Sequence, residues 1–439
     1  MNSLKKISIY IFTISLLGCS EPLTEKRFQY QIDGDHVNVA IDVVQTTNDG
    51  FAFLGETTQC GGEDMMFFTT DQFGNVEIAL AFKGDSTDIG FSLIETKDGG
   101  YLLGGQTNSF GNTRDDMPLI KLNKEGELEW SILFGGYNLD YITDLIQTED
   151  GPYIVTGYTY SYGVGFDDIF IMKIDEQGDT LWTRRYGGEL NEHCYAVKQT
   201  PDKGFVLTGF SKSFGNGYYD TYVVKVNPEG DTLWTRVFGG QFHDRGFDIY
   251  AEEDGSILIT GGSETSSNNM DAMLLKLSAE GDIIWAKTYG GIKPEMSNSI
   301  DRCEDGYVLT GYTSSADGKS DHLIIKTDLE GNVMWYKAYG GELDDLAYRG
   351  ISTKDQDILV IGKLPAEKDK PYNITFLKIP ADGSESICSE KTFELFTNDS
   401  TISSHFTNTQ ITSGIEIKEH SFEIHHPDLY IIPLCKKPD

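Results

Sequence analysis

The sequence predicts an all-β chain folded as a single β-propeller of four-stranded blades. Two observations carry this expectation. All five Trp residues fall in one series, Trp130, Trp182, Trp234, Trp285 and Trp335, spaced by 52, 52, 51 and 50 residues. Between them the same four short apolar segments recur, joined by Asp-Gly or Gly-Gly turns, and no stretch keeps a 3.6-residue period over three turns. Four short antiparallel strands in each repeat of about 50 residues are the signature of a propeller blade, and the missing helical period excludes a helical solenoid.

The elements of the unit follow in order. An alternating inner segment ends in a turn such as Asp98-Gly99-Gly100. A second apolar segment follows, as in Tyr101 to Thr107. After a loop rich in Ser, Gly and Asn, a third segment opens on Asp and carries Lys near its end, as in Asp168 to Lys173. The fourth, outer segment holds the Trp, four residues after a Gly and five before Gly-Gly. Extending the register in both directions finds Phe28, Ile78 and Ile387 at the Trp position, so that strand recurs eight times. Eight blades are therefore the first expectation and seven the alternative. Closure is expected from the N-terminal strand around Phe28 pairing with Leu429–Leu434, because a closed ring leaves no free sheet edge. The pattern is degraded over residues 392–427.

Composition narrows the partners. The chain has 439 residues, 48 Gly and a formal charge of −34. Phosphate contacts require Lys and Arg, so this balance excludes non-specific nucleic-acid binding and disfavours docking on anionic lipid. Aromatic residues at 12% exclude a disordered chain.

Residues 1–18 read as a signal peptide: Lys5 and Lys6 precede an apolar run, Ile7 to Leu17, too short to span a bilayer. The segment Leu16-Leu17-Gly18-Cys19 resembles the lipobox of bacterial lipoproteins. That resemblance implies cleavage before Cys19 and acyl chains on it as the membrane attachment. Ser20 is not an acidic retention residue, so the resemblance implies the outer membrane. Residues 19–26 are then a lipid-anchored linker and 27–439 the propeller.

The repeat Trp-x-x-x-Tyr/Phe-Gly-Gly, then Asp-Gly-Gly-Tyr-x-Leu-x-Gly-x-Thr, then Asp-x-x-x-x-Lys, resembles the SBBP-type propeller repeats of bacterial secreted and envelope proteins. It spans about residues 28–435. More loosely, Ile174 to Trp182 is similar to the tryptophan-docking turn of eight-bladed quinoprotein propellers, a group that includes a non-catalytic lipoprotein of outer-membrane assembly. Fold resemblance does not fix function.

Several residue series could carry chemistry. The Trp series is expected to fill wedges between blades. The Lys series (Lys121, Lys173, Lys225, Lys276, Lys326, Lys378) is expected to lay solvated stems over apolar surface. An Asp opens the third strand at Asp64, Asp116, Asp168, Asp220, Asp271 and Asp321, with Asn373 and Asp428 completing the series, and reads as a hairpin cap. Asp88, Asp140, Glu192, Asp244, Glu295 and Asp345 sit ten residues after the Trp position, with Asn38 and Thr397 in the remaining repeats. These acids have two open roles. They could bond the Gly-Gly backbone between blades, or form a face for a cation, calcium above all, or for a basic or hydroxyl-rich partner.

Catalytic sets are scarce. His193 and Cys194 are adjacent in a strand, so they point to opposite faces and cannot pair. His425-His426 could bind a metal. No Cys-x-x-Cys, Gly-x-Ser-x-Gly or phosphate-binding loop occurs. Five Cys remain after Cys19: Cys60, Cys194, Cys303, Cys388 and Cys435, with one bridge, Cys388–Cys435, open at the closure point. The expected function is non-catalytic binding of a protein or glycan by a monomeric, lipid-anchored envelope protein that needs no cofactor. The alternatives are a scaffold in an outer-membrane assembly complex, or a quinoprotein-like or hydrolytic enzyme.

Overall fold

The structure is a computed structural model. It describes residues 29–32, 36–59, 62–110, 114–163, 165–215, 218–266, 269–316, 318–365, 372–384, 390–391, 395–399 and 430–432. The Cys19 segment, the His425-His426 pair, Cys60, Cys388, Cys435 and Asp428 lie outside them.

Seven four-stranded antiparallel sheets form the propeller. Blade 3 shows the unit: Asp140–Gln147 innermost, then Tyr153–Thr159, Asp168–Ile174 and Thr180–Tyr186 at the rim. Inner strands of blades 1 to 7 begin at Asn38, Asp88, Asp140, Glu192, Asp244, Glu295 and Leu346. Seven blades replace the first expectation of eight. The eighth candidate set adds no blade. Glu390–Lys391 pairs with the rim of blade 6, Phe396–Asp399 with the rim of blade 5, and Tyr430–Ile432 with the rim of blade 1. Each is a fifth strand on an existing sheet, and Thr397 therefore opens no inner strand: it faces Tyr289.

The N-terminal strand closes the ring, but on another partner than Leu429–Leu434. Gln29–Ile32 pairs with Tyr372–Pro380 of blade 7, in the register Gln29↔Leu377 to Ile32↔Ile374. It supplies the rim strand of blade 7, so that blade joins an early strand to three late ones. Alternating apolar segments report that a strand is half-buried, not which strand lies beside it. Both terminal segments satisfy that pattern.

The core is a set of apolar clusters, each spanning two neighbouring blades. At the closing junction, Phe53 and Phe68 of blade 1 stack at 4.5 Å, and Phe376 of blade 7 lies 5.0 Å from Phe53. The Trp residues join neighbours in a second way. Trp182 packs on Gly230 in the rim turn of the next blade, where φ is +83°; a Cβ there would stand 2.8 Å from the indole. The indole N–H of Trp234 donates to Ala279 O at 3.0 Å, and that of Trp335 to Ala381 O at 2.9 Å. The recurring Gly thus serves both its turn and its neighbour's Trp.

The Lys series differs from the expectation of solvated stems. Lys121, Lys225, Lys326 and Lys378 are buried, and each Nζ pairs with the Asp of its own blade's first turn: Asp98 at 2.9 Å, Asp202 at 2.7 Å, Asp305 at 2.5 Å and Asp355 at 2.7 Å. The turn Asp therefore shapes a hairpin and also neutralises a buried ammonium.

Candidate functional site

The six acids predicted from the repeat all lie on one face, where each inner strand begins, and all are buried. Asp140 shows what holds them. Its own N–H donates to Asp115 O of the preceding blade at 2.9 Å. Its carboxylate accepts from Gly136 N–H at 2.9 Å, Ser161 Oγ at 2.6 Å and Thr159 Oγ1. Glu192, Asp244 and Glu295 accept likewise from Gly188 at 2.6 Å, Gly240 at 2.7 Å and Gly291 at 2.6 Å, and from a Ser or Thr hydroxyl of the second strand. Asp345 accepts from Gly341 N–H at 2.5 Å, and Asp88 from Thr107 and Ser109. Each acid is thus engaged within its own blade and the link entering it. Burial pushes Asp88 and Asp244 up to about 6 despite these bonds, and raises Asp140 and Glu295 as well.

The first Gly of each pair answers to the other acidic series. A Cβ on Gly135, Gly187 or Gly340 would lie within 1.9 Å of the third-strand Asp116, Asp168 or Asp321. The Gly-Gly link is small on one side to admit one carboxylate and offers an N–H to another.

A second polar ring lies deeper. Every inner strand carries a β-bulge, after its third residue in blades 1 to 6 and after its second, Ala347, in blade 7. The residue beyond the bulge is Asp42, Ser92, Asp144, Ala196, Asp248, Ser299 or Arg349. A bulge re-aims the strand, and here it turns the side chain to the next blade's backbone. Asp42 accepts from Leu93 N–H at 2.8 Å, Ser92 from Leu145 at 3.1 Å, Asp144 from Val197 at 2.8 Å, Asp248 from Ile300 at 3.1 Å, and Ser299 from Gly350 at 2.9 Å. Arg349 completes the circuit. Its Nη1 lies 3.2 Å from Asp248 and its Nε 3.5 Å from Asp42. Burial disfavours its charge, but Asp248, Asp42, Asp144 and Asp301 outweigh that and raise its pKa. Burial likewise raises Asp42, against the pull of Arg349. The repeat gave no sign of this ring, because its members differ in type from blade to blade.

Above this ring, blades 3 to 5 carry a run of aromatic and imidazole rings, partly exposed except for the buried Phe210. Tyr141 lies 4.9 Å from Tyr158, which stacks on His193 at 3.8 Å. Phe210 follows at 4.5 Å from His193, and Tyr219 at 4.7 Å from Phe210. His243 stacks on Tyr219 at 5.0 Å and on Tyr218 at 5.3 Å. Within the bulges, Tyr195 and Phe247 meet at 5.0 Å. Polar groups punctuate the run. His193 Nε2 hydrogen-bonds Asp167 Oδ2 at 2.5 Å, Tyr141 Oη donates to Asp115 at 2.9 Å, and the Arg245 guanidinium lies 4.8 Å over Tyr219 and 5.4 Å over Phe210. Burial pushes the Tyr195 hydroxyl up to about 12 and raises Tyr141, Tyr158 and Tyr160 too, so all four stay neutral near pH 7.

Cys194 faces away from His193, as strand alternation requires. It is buried, takes a hydrogen bond from Thr156 Oγ1 at 3.3 Å, and burial pushes its thiol up to about 12. Sequence reasoning missed the pairing of His193 with Asp167, which lies in the loop of the preceding blade. The signal was present in part: His, Arg and Tyr interrupt the apolar second position of the inner strand only in blades 3 to 5.

No family model matches this chain, and no curated protein does. Among solved structures, the chain is similar to Sqt1 from Chaetomium thermophilum at 9% identity, covering 79% of this chain and 99% of that one, with a TM-score of 0.45. It is similar to puromycin hydrolase at 12% identity, covering 81% of this chain and 54% of that one, TM-score 0.49. A glucose dehydrogenase aligns at 10% identity over 66% of this chain and 96% of its own, TM-score 0.40. Likeness of this degree carries no argument about activity.

Proposed function

We propose that this protein is a non-catalytic binding protein of the bacterial cell envelope, held at the outer membrane by acyl chains on Cys19, which captures a glycan at the aromatic mouth of blades 3 to 5. The observation that carries the proposal is the continuous run of rings from Tyr141 to His243, partly exposed except at the buried Phe210. Saccharides bind by laying C–H faces on such rings and directing hydroxyls to neutral Tyr, His and carboxylate groups at their edges. Binding without turnover is supported by the surroundings of His193. Among the described residues it hydrogen-bonds Asp167, and no Ser, Thr or Cys shares a hydrogen bond with it. The second reading, a protein partner of scaffold type, draws on the rim of the same face, where Tyr137, Phe166, Tyr218 and Ile292 are 79%, 66%, 65% and 80% exposed.

Two experiments test the proposal. Cys19→Ala releases the protein from carbonate-washed membranes; retention there defeats the anchor. Binding to an oligosaccharide panel falls at least tenfold in Tyr195→Ala and Phe247→Ala, with melting temperature as the folding control; a panel that binds nothing defeats the glycan reading.

A further inference from the structure

Arg245, like Arg236 over Trp234 at the rim, is a half-buried cation that lies on rings, but Arg245 does so at the mouth of blades 3 to 5. Lys121, Lys225, Lys326 and Lys378 each meet a turn aspartate, and Arg349 meets two channel aspartates. Among the described residues Arg245 has no carboxylate partner. Its guanidinium lies over the rings of Phe210 and Tyr219, which meet edge to face, and its Nε is buried with no hydrogen-bond acceptor. Beside it, His243 stacks on Tyr218 and Tyr219, and its Nδ1 is likewise buried without a partner. In a chain of charge −34, carboxylates are abundant. A half-buried guanidinium lying on rings, with no carboxylate partner among the described residues, can take an acceptor from outside. Buried donors left without acceptors are costly, and a charged acceptor relieves that cost best.

The mouth is also polarised. At the blade 3 end, Asp115 and Asp167 are taken up by Tyr141 and His193. At the blade 5 end stands the Arg245 guanidinium, and the carboxylate beside it, Glu264, accepts from the His243 backbone N–H at 3.3 Å. We infer that Arg245 reads an anionic group on the ligand, so that the glycan taken by this mouth is an acidic saccharide whose carboxylate meets Arg245 while its ring rests on Tyr195 and Phe247. This rests on the glycan reading above. The general negative field does not forbid it, since at physiological salt charges beyond about 8 Å are largely screened.

The test uses the purified full chain and a panel of uronate oligosaccharides of several linkages, their methyl esters, and neutral oligosaccharides. Esterification removes the charge and keeps the ring. At least one free acid is expected to bind roughly 10- to 100-fold more tightly than its ester, the usual worth of a hydrogen bond to a charged group. Arg245→Gln is expected to bring the acid down to the level of the ester, while Arg245→Lys keeps part of the difference. Acid and ester binding alike, or neutral oligosaccharides alone binding, overturns the assignment to Arg245 and leaves the glycan reading standing. Silence across the whole panel overturns the glycan reading and this inference with it. The comparison of acid with ester needs no variant, so a misfolded Arg245→Gln does not blunt the test.

Discussion

Arg349 Nη1 lies 3.2 Å from Asp248 Oδ2 across 101 residues of sequence, with all of blade 6 between their strands. The same guanidinium reaches Asp42 of blade 1, so one side chain connects the last blade to the first and to the fifth. Arg349→Met leaves those carboxylates buried without their cation. It is expected to cost about 3–5 kcal/mol in urea unfolding. Adding Asp248→Asn should restore part of that loss; if the two changes simply add, the residues are not coupled.

The closing strand gives a second expectation. Deleting residues 20–32 removes the rim of blade 7 and bares the edge of Tyr372–Pro380. Thermal unfolding should fall by several degrees, with association of the exposed edge. Deleting residues 429–439 removes only a fifth strand from blade 1, which keeps its own rim strand Val76–Lys83, and should cost less. Equal losses would contradict the assigned pairing.

The link acids set a pH dependence. Asp88 and Asp244 have folded-state pKa values of about 6, above their ordinary value. Between those limits the folded state binds more protons than the unfolded one. Their contribution to stability therefore rises as pH falls from about 7 to 4. Asp244→Asn should be more stabilising, or less destabilising, at pH 7.5 than at pH 4.5, by up to roughly 3 kcal/mol. The turn acids act oppositely. Lys326 holds Asp305 below its ordinary value, and Thr96, Gly100 N–H and Lys121 hold Asp98 down to about 2 against burial, so their support is lost only below about pH 4.

The Lys–Asp clamps predict an asymmetry. Lys225 is buried and its Nζ bonds both Asp202 and Thr200. Asp202→Ala strands a buried ammonium, whereas Lys225→Met removes the charge and keeps the apolar stem. Denaturant midpoints should drop further for Asp202→Ala.

Calcium is expected to leave the melting temperature unchanged at fixed ionic strength. The link carboxylates already accept from Gly N–H and Ser or Thr hydroxyl groups, and a cation would have to displace those donors. A shift that vanishes in Asp140→Asn would instead establish a cation site.

What the sequence made legible was whatever every blade repeats. The Trp interval, the Gly-Gly links and the acid at each inner-strand start recur because each answers a contact made at every junction. The blade count was obscured because Tyr430–Ile432 follows the same alternation as a blade strand while adding to a sheet already complete. Burial of Lys225 was hidden because Asp202 has its own reason to occupy a turn. The His193–Asp167 pair, the Arg349 circuit and Arg245 on its rings each occur once. Periodicity is silent about features that do not repeat, and two of these, the His193–Asp167 pair and Arg245, distinguish the blades 3–5 face from the rest of the ring.

Blade 7 has a consequence for how the molecule is made. Gln29–Ile32 leaves the ribosome about 340 residues before its partner Tyr372–Pro380, so the early strand must wait for the late one. During that interval six blades can assemble in order, each docking on the one before, while the ring stays open. Such a distant contact weighs against fast folding. Synthesis from the N-terminus would thus deliver the ring as an open arc that shuts only once residues 372–380 are made.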